Sequence, residues 1–299
     1  MNYIFFGVII FLSYCIYFTF RRLKIMKTNK IDLYEYFGLT RPENGAGYLY
    51  EFIIDDYNFC TGRKRPAMLV IAGGGYGAVS QREKEPIAFL YLSQGYHTFT
   101  LEYSCRPVGH PYQLLEGSMA MAYIREHTEE YNIIPDKVGA VGFSAGGHLC
   151  GMLATYADEP EVTSLLGERA KGIVPDAVIL SYPVITCGER THGGTFENLS
   201  HGDQKIKERF SIEKRVTEKS SPAFIWATVT DQVVPMENSM LVASAYRTAG
   251  VPFELHIFAE GQHGLSLSTK ETIWVNEPVQ AWIPLHFTWL ESLGFKIQG

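Results

Sequence analysis

Lys137-Val-Gly-Ala-Val-Gly-Phe-Ser-Ala-Gly146 is an apolar run that ends in a serine set between small residues. The run is short, continuous and rich in β-branched and small side chains, which suits a buried strand. The next residues, Gly147-His-Leu-Cys-Gly-Met-Leu153, are small or apolar at helical spacing and predict a buried helix. A serine at such a strand-to-helix turn sits in a strained backbone conformation, so the positions two before and two after it must be small. Gly142 and Gly146 meet that demand and make Ser144 the candidate nucleophile. The helix N-terminus beneath it favours negative charge developing at the turn. A five-residue Gly-x-Ser-x-Gly string arises easily by chance, so the assignment needs support from the rest of the chain.

Upstream lies a second glycine cluster, Ala72-Gly-Gly-Gly-Tyr-Gly77, directly after the apolar run Pro66-Ala-Met-Leu-Val-Ile71. A serine nucleophile attacking a carbonyl needs backbone N–H donors for the oxyanion, and a flexible glycine loop at a strand end supplies them. Gly74, Gly75 and Ala145, the residue after the serine, are the expected donors. A phosphate loop is a poor alternative, because Ala78-Val-Ser-Gln81 lacks the required lysine.

Two later strand-like runs each end in a polar residue. Pro222-Ala-Phe-Ile-Trp-Ala-Thr-Val229 leads into Asp231, and Pro252-Phe-Glu-Leu-His-Ile-Phe258 leads into Glu260-Gly-Gln-His263. The order Ser144, Asp231, His263 predicts a triad in which Asp231 orients the imidazole and His263 acts as general base. An imidazole with an ordinary pKa near ~6.5 suits that role. Glu260 is the rival acid, but it shares the loop of His263. Among the nine histidines, His148 is expected to be an interior residue on the helix after Ser144. His256 falls in a strand and His286 in an apolar helix, which favours packing for both. His192 and His201 fall in a polar segment from which substrate could be touched. Tyr76 and Phe143 are aromatic residues next to the motifs, with pocket and core both open to them; Tyr76 and His192 are the expected substrate contacts.

Taken together these stretches resemble the α/β-hydrolase esterases related to acetyl-xylan esterases and feruloyl-esterase-like carbohydrate esterases, and more distantly the hormone-sensitive-lipase group. The marks are Gly73-Gly-Gly-Tyr-Gly77, Arg82-Glu-Lys-Glu-Pro86, Gly142-Phe-Ser-Ala-Gly-Gly-His148, Ser181-Tyr-Pro-Val184, Glu197-Asn-Leu199, Asp231-Gln-Val-Val-Pro235 and Glu260-Gly-Gln-His-Gly264. They span roughly residues 45 to 292. Ala72 stands where the lipase-type His-Gly-Gly-Gly pattern has histidine, so the kinship is to the esterases rather than to the lipases. The resemblance implies an α/β-hydrolase fold and a serine carboxylesterase that needs no cofactor and removes small acyl groups, acetyl foremost, from carbohydrates or similar polar alcohols. An arylformamidase or a peptidase would use the same machinery. A membrane-tethered binding module without catalysis is the remaining alternative.

The 299 residues, 46% of them hydrophobic, suffice for one sizeable core. Strand-like runs at 48–54, 68–71, 97–103, 138–141, 177–180, 222–229 and 252–258 alternate with helical patterns at 86–94, 112–131, 146–156, 237–249 and 281–293. That alternation predicts a mostly parallel central sheet with helices on both faces and a ligand site at the carboxyl ends of the strands. Residues 187–220 form the longest polar break and read as a small cap-like insertion in a domain spanning 26–299. A hydrophilic cap suits a polar acyl carrier better than a lipid.

Charge and cysteines narrow the classes further. With 26 basic and 32 acidic residues the net charge is −6, and no basic stripe exists to hold nucleic acid. No metal-binding spacing occurs. The five cysteines at 15, 60, 105, 150 and 187 are scattered, as in reduced thiols of a cytoplasmic protein. Residues 1–25 form a separate apolar segment. Within it, Tyr3 to Phe20 is an uncharged stretch of 18 residues followed by Arg21-Arg-Leu-Lys24. It is long enough for a single membrane span with the basic flank in the cytoplasm. Initiation at Met26 would remove it. Oligomeric state is open, and the expected partner is a small ester or an oligosaccharide ester.

Overall fold

The computed structural model describes residues 26–56, 61–156 and 158–299. The membrane span expected at Tyr3 to Phe20 lies outside them. Among the described residues no helix is long and apolar enough to cross a membrane. Cys15 and Cys60 also lie outside; Cys105, Cys150 and Cys187 are free thiols.

Eight strands form one sheet: β1 (Met26–Asp32), β2 (Tyr48–Ile54), β3 (Arg65–Ile71), β4 (His97–Glu102), β5 (Ile133–Phe143), β6 (Val178–Ser181), β7 (Ala223–Thr228) and β8 (Phe253–Phe258). Their spatial order is β1-β2-β4-β3-β5-β6-β7-β8. The first two strands join antiparallel and every pair from β3–β4 to β7–β8 is parallel. Strands β3, β6 and β7 are buried along their whole length, which explains why they read as unbroken apolar runs rather than alternating ones. Helices cover both faces, so the core divides into two apolar clusters, one on each side of the sheet.

The helices are α1 (Leu33–Phe37), α2 (Glu85–Ser93), α3 (Tyr112–Glu126), α4 (Ala145–Thr155), α5 (Pro160–Leu166), α6 (Gly193–Ser200), α7 (Gln204–Arg209), α8 (Glu237–Ala249), α9 (Glu277–Gln280) and α10 (Trp282–Ser292). The fold is thus the expected α/β-hydrolase architecture, with three local departures. Met26–Asp32, outside the expected strand runs, is an edge strand; its side chains are mostly exposed, so backbone pairing to β2 forms it without an apolar pattern. The helix expected to reach Tyr131 stops at Glu126, where His127 caps it and Thr128 Oγ1 donates back to the Arg125 carbonyl at 3.0 Å. Strand β5 begins five residues earlier than the apolar run, at Ile133, despite the polar Asp136 and Lys137 within it. Residues 187–220 carry α6 and α7 and a short 3₁₀ turn at Ile212–Lys214.

Candidate active site

Strand β5 delivers Ser144 to the carboxyl edge of the sheet, and α4 begins at the next residue. Ser144 has φ 54° and ψ −118°, a region that L-residues avoid unless the surroundings hold them there. Its N–H donates to the Ser181 carbonyl at 3.0 Å, and its carbonyl accepts from Val184 at 3.1 Å. The flanking glycines are required by space. A Cβ on Gly142 would stand 2.2 Å from the Gly146 carbonyl oxygen, and one on Gly146 would stand 2.2 Å from that of Ile71. Strand, turn and helix could not approach so closely with any other residue.

Strands β7 and β8 bring the two remaining groups to the serine. Ser144 Oγ lies 2.8 Å from His263 Nε2, and His263 Nδ1 lies 2.7 Å from Asp231 Oδ2. The other carboxylate oxygen of Asp231 accepts the N–H groups of Val233 at 2.8 Å and Val234 at 3.0 Å. Both oxygens are therefore committed and the carboxylate cannot rotate. Its acceptor requires a proton on Nδ1, which leaves Nε2 free to take the serine proton. The Asp231 side chain is almost fully buried, so this bond is not diluted by solvent.

The glycine loop after β3 faces the serine. Gly74 and Gly75 have φ 127° and 63°, and a Cβ on Gly74 would strike the Ala78 carbonyl oxygen at 2.1 Å. Their N–H groups donate to no acceptor among the described residues. The Ala145 N–H is likewise free of the helix it starts. Gly73 differs: its N–H is taken by Glu83 Oε2 at 2.9 Å. These groups border a cavity of roughly 320 Å³. Ser80, Arg82 and Glu83 line one side of it, and His192, Gly194 and Asn198 of the insertion line another. Val233 is the one apolar side chain in the lining. A larger depression of roughly 600 Å³ lies by Lys214 and Arg215 and contains none of these residues.

The structure separates the other candidates. Tyr76, expected to touch substrate, is fully buried beneath the loop, with its hydroxyl 2.9 Å from His148 Nδ1; the chain turns it inward at φ 56°. Phe143 is fully buried in the core. His148 has its second nitrogen 2.8 Å from the Phe210 carbonyl, and burial pushes its pKa down to about 4. It is a neutral interior histidine. His256 stacks on Phe224, and His286 is buried with a pKa lowered to about 3. His201 ends α6 in a left-handed conformation and does not line the cavity. Glu260 is exposed, and His263 Nδ1 is taken by Asp231. His192 does line the cavity; its Nδ1 lies 2.7 Å from Thr195 Oγ1, and burial, then the nearby His263, lowers its pKa.

Four site residues carry no chemical signal in the sequence. Asn198 Nδ2 donates to the Gly75 carbonyl at 2.9 Å. Arg82 Nε donates to the Gly264 carbonyl at 2.8 Å, and its guanidinium lies over Trp274. Glu83 and Tyr182 share a hydrogen bond of 2.7 Å, and the Tyr182 ring meets His263 edge-on with centroids 5.1 Å apart. All four fall in stretches that mark the family resemblance, but only the folded chain shows what they touch.

A serine nucleophile on a strand-to-helix turn, an imidazole and a buried carboxylate on later strand ends, and a facing glycine loop define an α/β-hydrolase. Comparison with known proteins agrees. The BD-FAE family model matches residues 60–246, and the chain belongs to that family. It is 40% identical over 220 residues to endo-1,4-beta-xylanase B of Butyrivibrio fibrisolvens, covering 70% of this chain and 34% of that protein. It is 28% identical over 236 residues to an acetylxylan esterase of Xylanibacter ruminicola, covering 76% of this chain and 44% of that one. The chain thus spans well under half the length of these relatives. Among solved structures, an acetyl ester-xyloside bifunctional hydrolase from Caldicellulosiruptor lactoaceticus superposes with a TM-score of 0.80 at 33% identity, covering 92% of this chain and 99% of that one. A carboxylesterase from Lactobacillus plantarum gives 0.77 at 25% identity, covering 92% and 99%. The protein has the α/β-hydrolase fold that these structures share.

Proposed function

We propose that the protein is a serine carboxylesterase that removes acetyl or similarly small acyl groups from carbohydrates or other polar alcohols. The observation that carries this reading is the unbroken chain Asp231–His263–Ser144, at 2.7 and 2.8 Å, opening on a small cavity lined by glycines and polar residues with Val233 as its one larger apolar side chain. Ser144 attacks the ester carbonyl while His263 takes its proton, and the imidazolium so formed is held by Asp231. The oxyanion is received by the N–H groups of Gly74, Gly75 and Ala145. His263 returns the proton to the departing alcohol, then activates water against the acyl-enzyme. The modest volume favours a short acyl chain, and Arg82, Asn198 and His192 offer hydrogen bonds to a hydroxylated leaving group. The printed names of the relatives, an acetylxylan esterase and an acetyl ester-xyloside hydrolase, support the same class.

The test is acetate release from acetylated xylo-oligosaccharides, set beside p-nitrophenyl acetate and a Ser144→Ala control. Turnover of both substrates that drops by about 10⁴-fold or more in the alanine variant is the expected result. Turnover of the activated ester alone would move the substrate search to other small esters, and activity surviving in Ser144→Ala would end the serine mechanism.

A further inference from the structure

Glu83 is a carboxylate only 2% exposed, on the short 3₁₀ turn Gln81–Glu83 after the glycine loop, and among the described residues no lysine, arginine or histidine forms an ion pair with it. Its two oxygens serve two different parts of the site. Oε2 accepts the Gly73 N–H at 2.9 Å, and Oε1 accepts the Tyr182 hydroxyl at 2.7 Å. The Tyr182 oxygen in turn accepts the N–H of Ser266, three residues beyond His263, at 2.9 Å. The neighbouring Arg82 ties down the same loop, donating to the Gly264 carbonyl and accepting from Ser266 Oγ at 2.6 Å on its own carbonyl.

We propose that Glu83 is a positioning residue that sets the oxyanion loop and the His263 loop against each other through one carboxylate. This rests on the serine-esterase reading above. Gly73 is held through two successive peptide units: Glu83 takes the N–H of the Ala72–Gly73 unit, and the Ser80 N–H takes the carbonyl of the Gly73–Gly74 unit at 3.0 Å. The Gly73–Gly74 unit is planar and carries the Gly74 N–H, so its aim depends on the Ser80 bond and on the preceding unit that Glu83 fixes. On the other side Tyr182 holds the loop that carries His263 and braces the imidazole with its ring edge. Both groups facing Glu83 are donors, and only a group with two acceptors can satisfy them together. Glutamine would take one of them and turn its own N–H groups toward the other. Tyr182, already accepting from Ser266, would be left with an undirected O–H.

Removing an oxyanion donor outright costs about 10²–10³-fold in kcat. Misaiming one should cost less, about 10- to 100-fold, and it should act on the transition state rather than on substrate binding. The experiment compares the parent with Glu83→Gln, Tyr182→Phe and the double variant, in p-nitrophenyl acetate turnover and in the second-order rate of fluorophosphonate labelling at Ser144. Expected are at least a tenfold fall in kcat and in labelling rate, KM within about twofold, and a double variant no worse than the poorer single one, because both changes break the same link. A folded single variant with parental kcat and labelling rate would overturn the proposal. So would a loss fully explained by the fraction of protein that fails to fold, with the folded remainder labelled at the parental rate. If Glu83→Gln does not fold, Tyr182→Phe decides alone. A folded parent that leaves Ser144 unlabelled would instead sink the esterase reading itself.

Discussion

The two walls of the cavity are built differently. On one side Ser144, Asp231 and His263 stand at the ends of three neighbouring regions of a buried parallel sheet, and every hydrogen bond that aims them runs to backbone or to another buried group. On the other side His192, Gly194 and Asn198 come from the insertion at 187–220, where helices are short, exposed and buried side chains mix, and the ion pair Lys207–Glu197 lies at the surface while Arg209 and Arg215 reach the buried Glu159. An exposed pair such as the first contributes little rigidity. The sheet wall is thus held by backbone and buried partners, whereas the insertion wall meets it through a few side-chain bonds, Asn198 to the Gly75 carbonyl among them. On the proposed reading, chemistry would belong to the first and selection among alcohols to the second, a division common where loops are mounted on a rigid scaffold.

The largest effect that would sharpen this contrast comes from Asp231→Asn. Asparagine can keep both backbone bonds on its Oδ1 but offers an N–H where His263 Nδ1 needs an acceptor, so the imidazole is driven to the wrong tautomer. A fall in kcat of about 10³–10⁴-fold is expected with KM little changed and the melting temperature nearly kept. Steady-state kinetics and a thermal melt check it; a loss below tenfold would mean that the carboxylate does not orient the base.

A smaller effect would break the contrast. Asn198 belongs to the insertion, yet its amide holds the Gly75 carbonyl of the oxyanion loop. Asn198→Ala should lower kcat about tenfold with KM changed less, the signature of a transition-state contact. His192→Ala, from the same insertion but with its Nδ1 spent on Thr195, should act mainly on KM for oligosaccharide esters. If both variants changed only KM, the insertion would be a binding surface and nothing more.

Much of the sheet wall was legible in the sequence because each of its residues ends an apolar run. Buried parallel strands announce themselves as continuous β-branched stretches, and a polar residue or a glycine at the end of one is conspicuous. Ser144, Asp231, His263, Gly74 and Gly75 are legible in that way; the structure brings four of them to one cavity and sets Asp231 behind His263. Tyr76 was misplaced because adjacency to a motif says nothing of direction; its positive φ turns the ring under the loop instead of into the cavity. Glu83 and Tyr182 were passed over for a different reason. Glu83 sits in Arg82-Glu-Lys-Glu85, a charged run that looks like a solvated turn, and only its partner 99 positions away shows that it is buried. The edge strand β1 escaped because pairing to a neighbour, not an apolar pattern, makes it a strand.

One more joint links the two walls, and it titrates. His148, on the helix under the nucleophile, accepts the Tyr76 hydroxyl from the oxyanion loop and donates to the Phe210 carbonyl at the end of the insertion's second helix. Burial holds its pKa at about 4, well under the unfolded value near ~6.5. Between those two values the unfolded chain binds a proton that the folded chain refuses, so stability is full above pH ~6.5 and declines as pH falls toward 4, by up to about 1.4 kcal/mol per pH unit for each such histidine. His97, lowered to about 4, and His286, lowered to about 3, add to the same slope. Glutamine at 148 offers one acceptor and one donor and can keep both bonds without taking up the proton. Denaturant unfolding of His148→Gln between pH 4.5 and 7 should show a slope smaller by about one proton than the parent's. An unchanged slope would mean that the joint between loop, helix and insertion opens in the folded protein and lets the imidazole charge there.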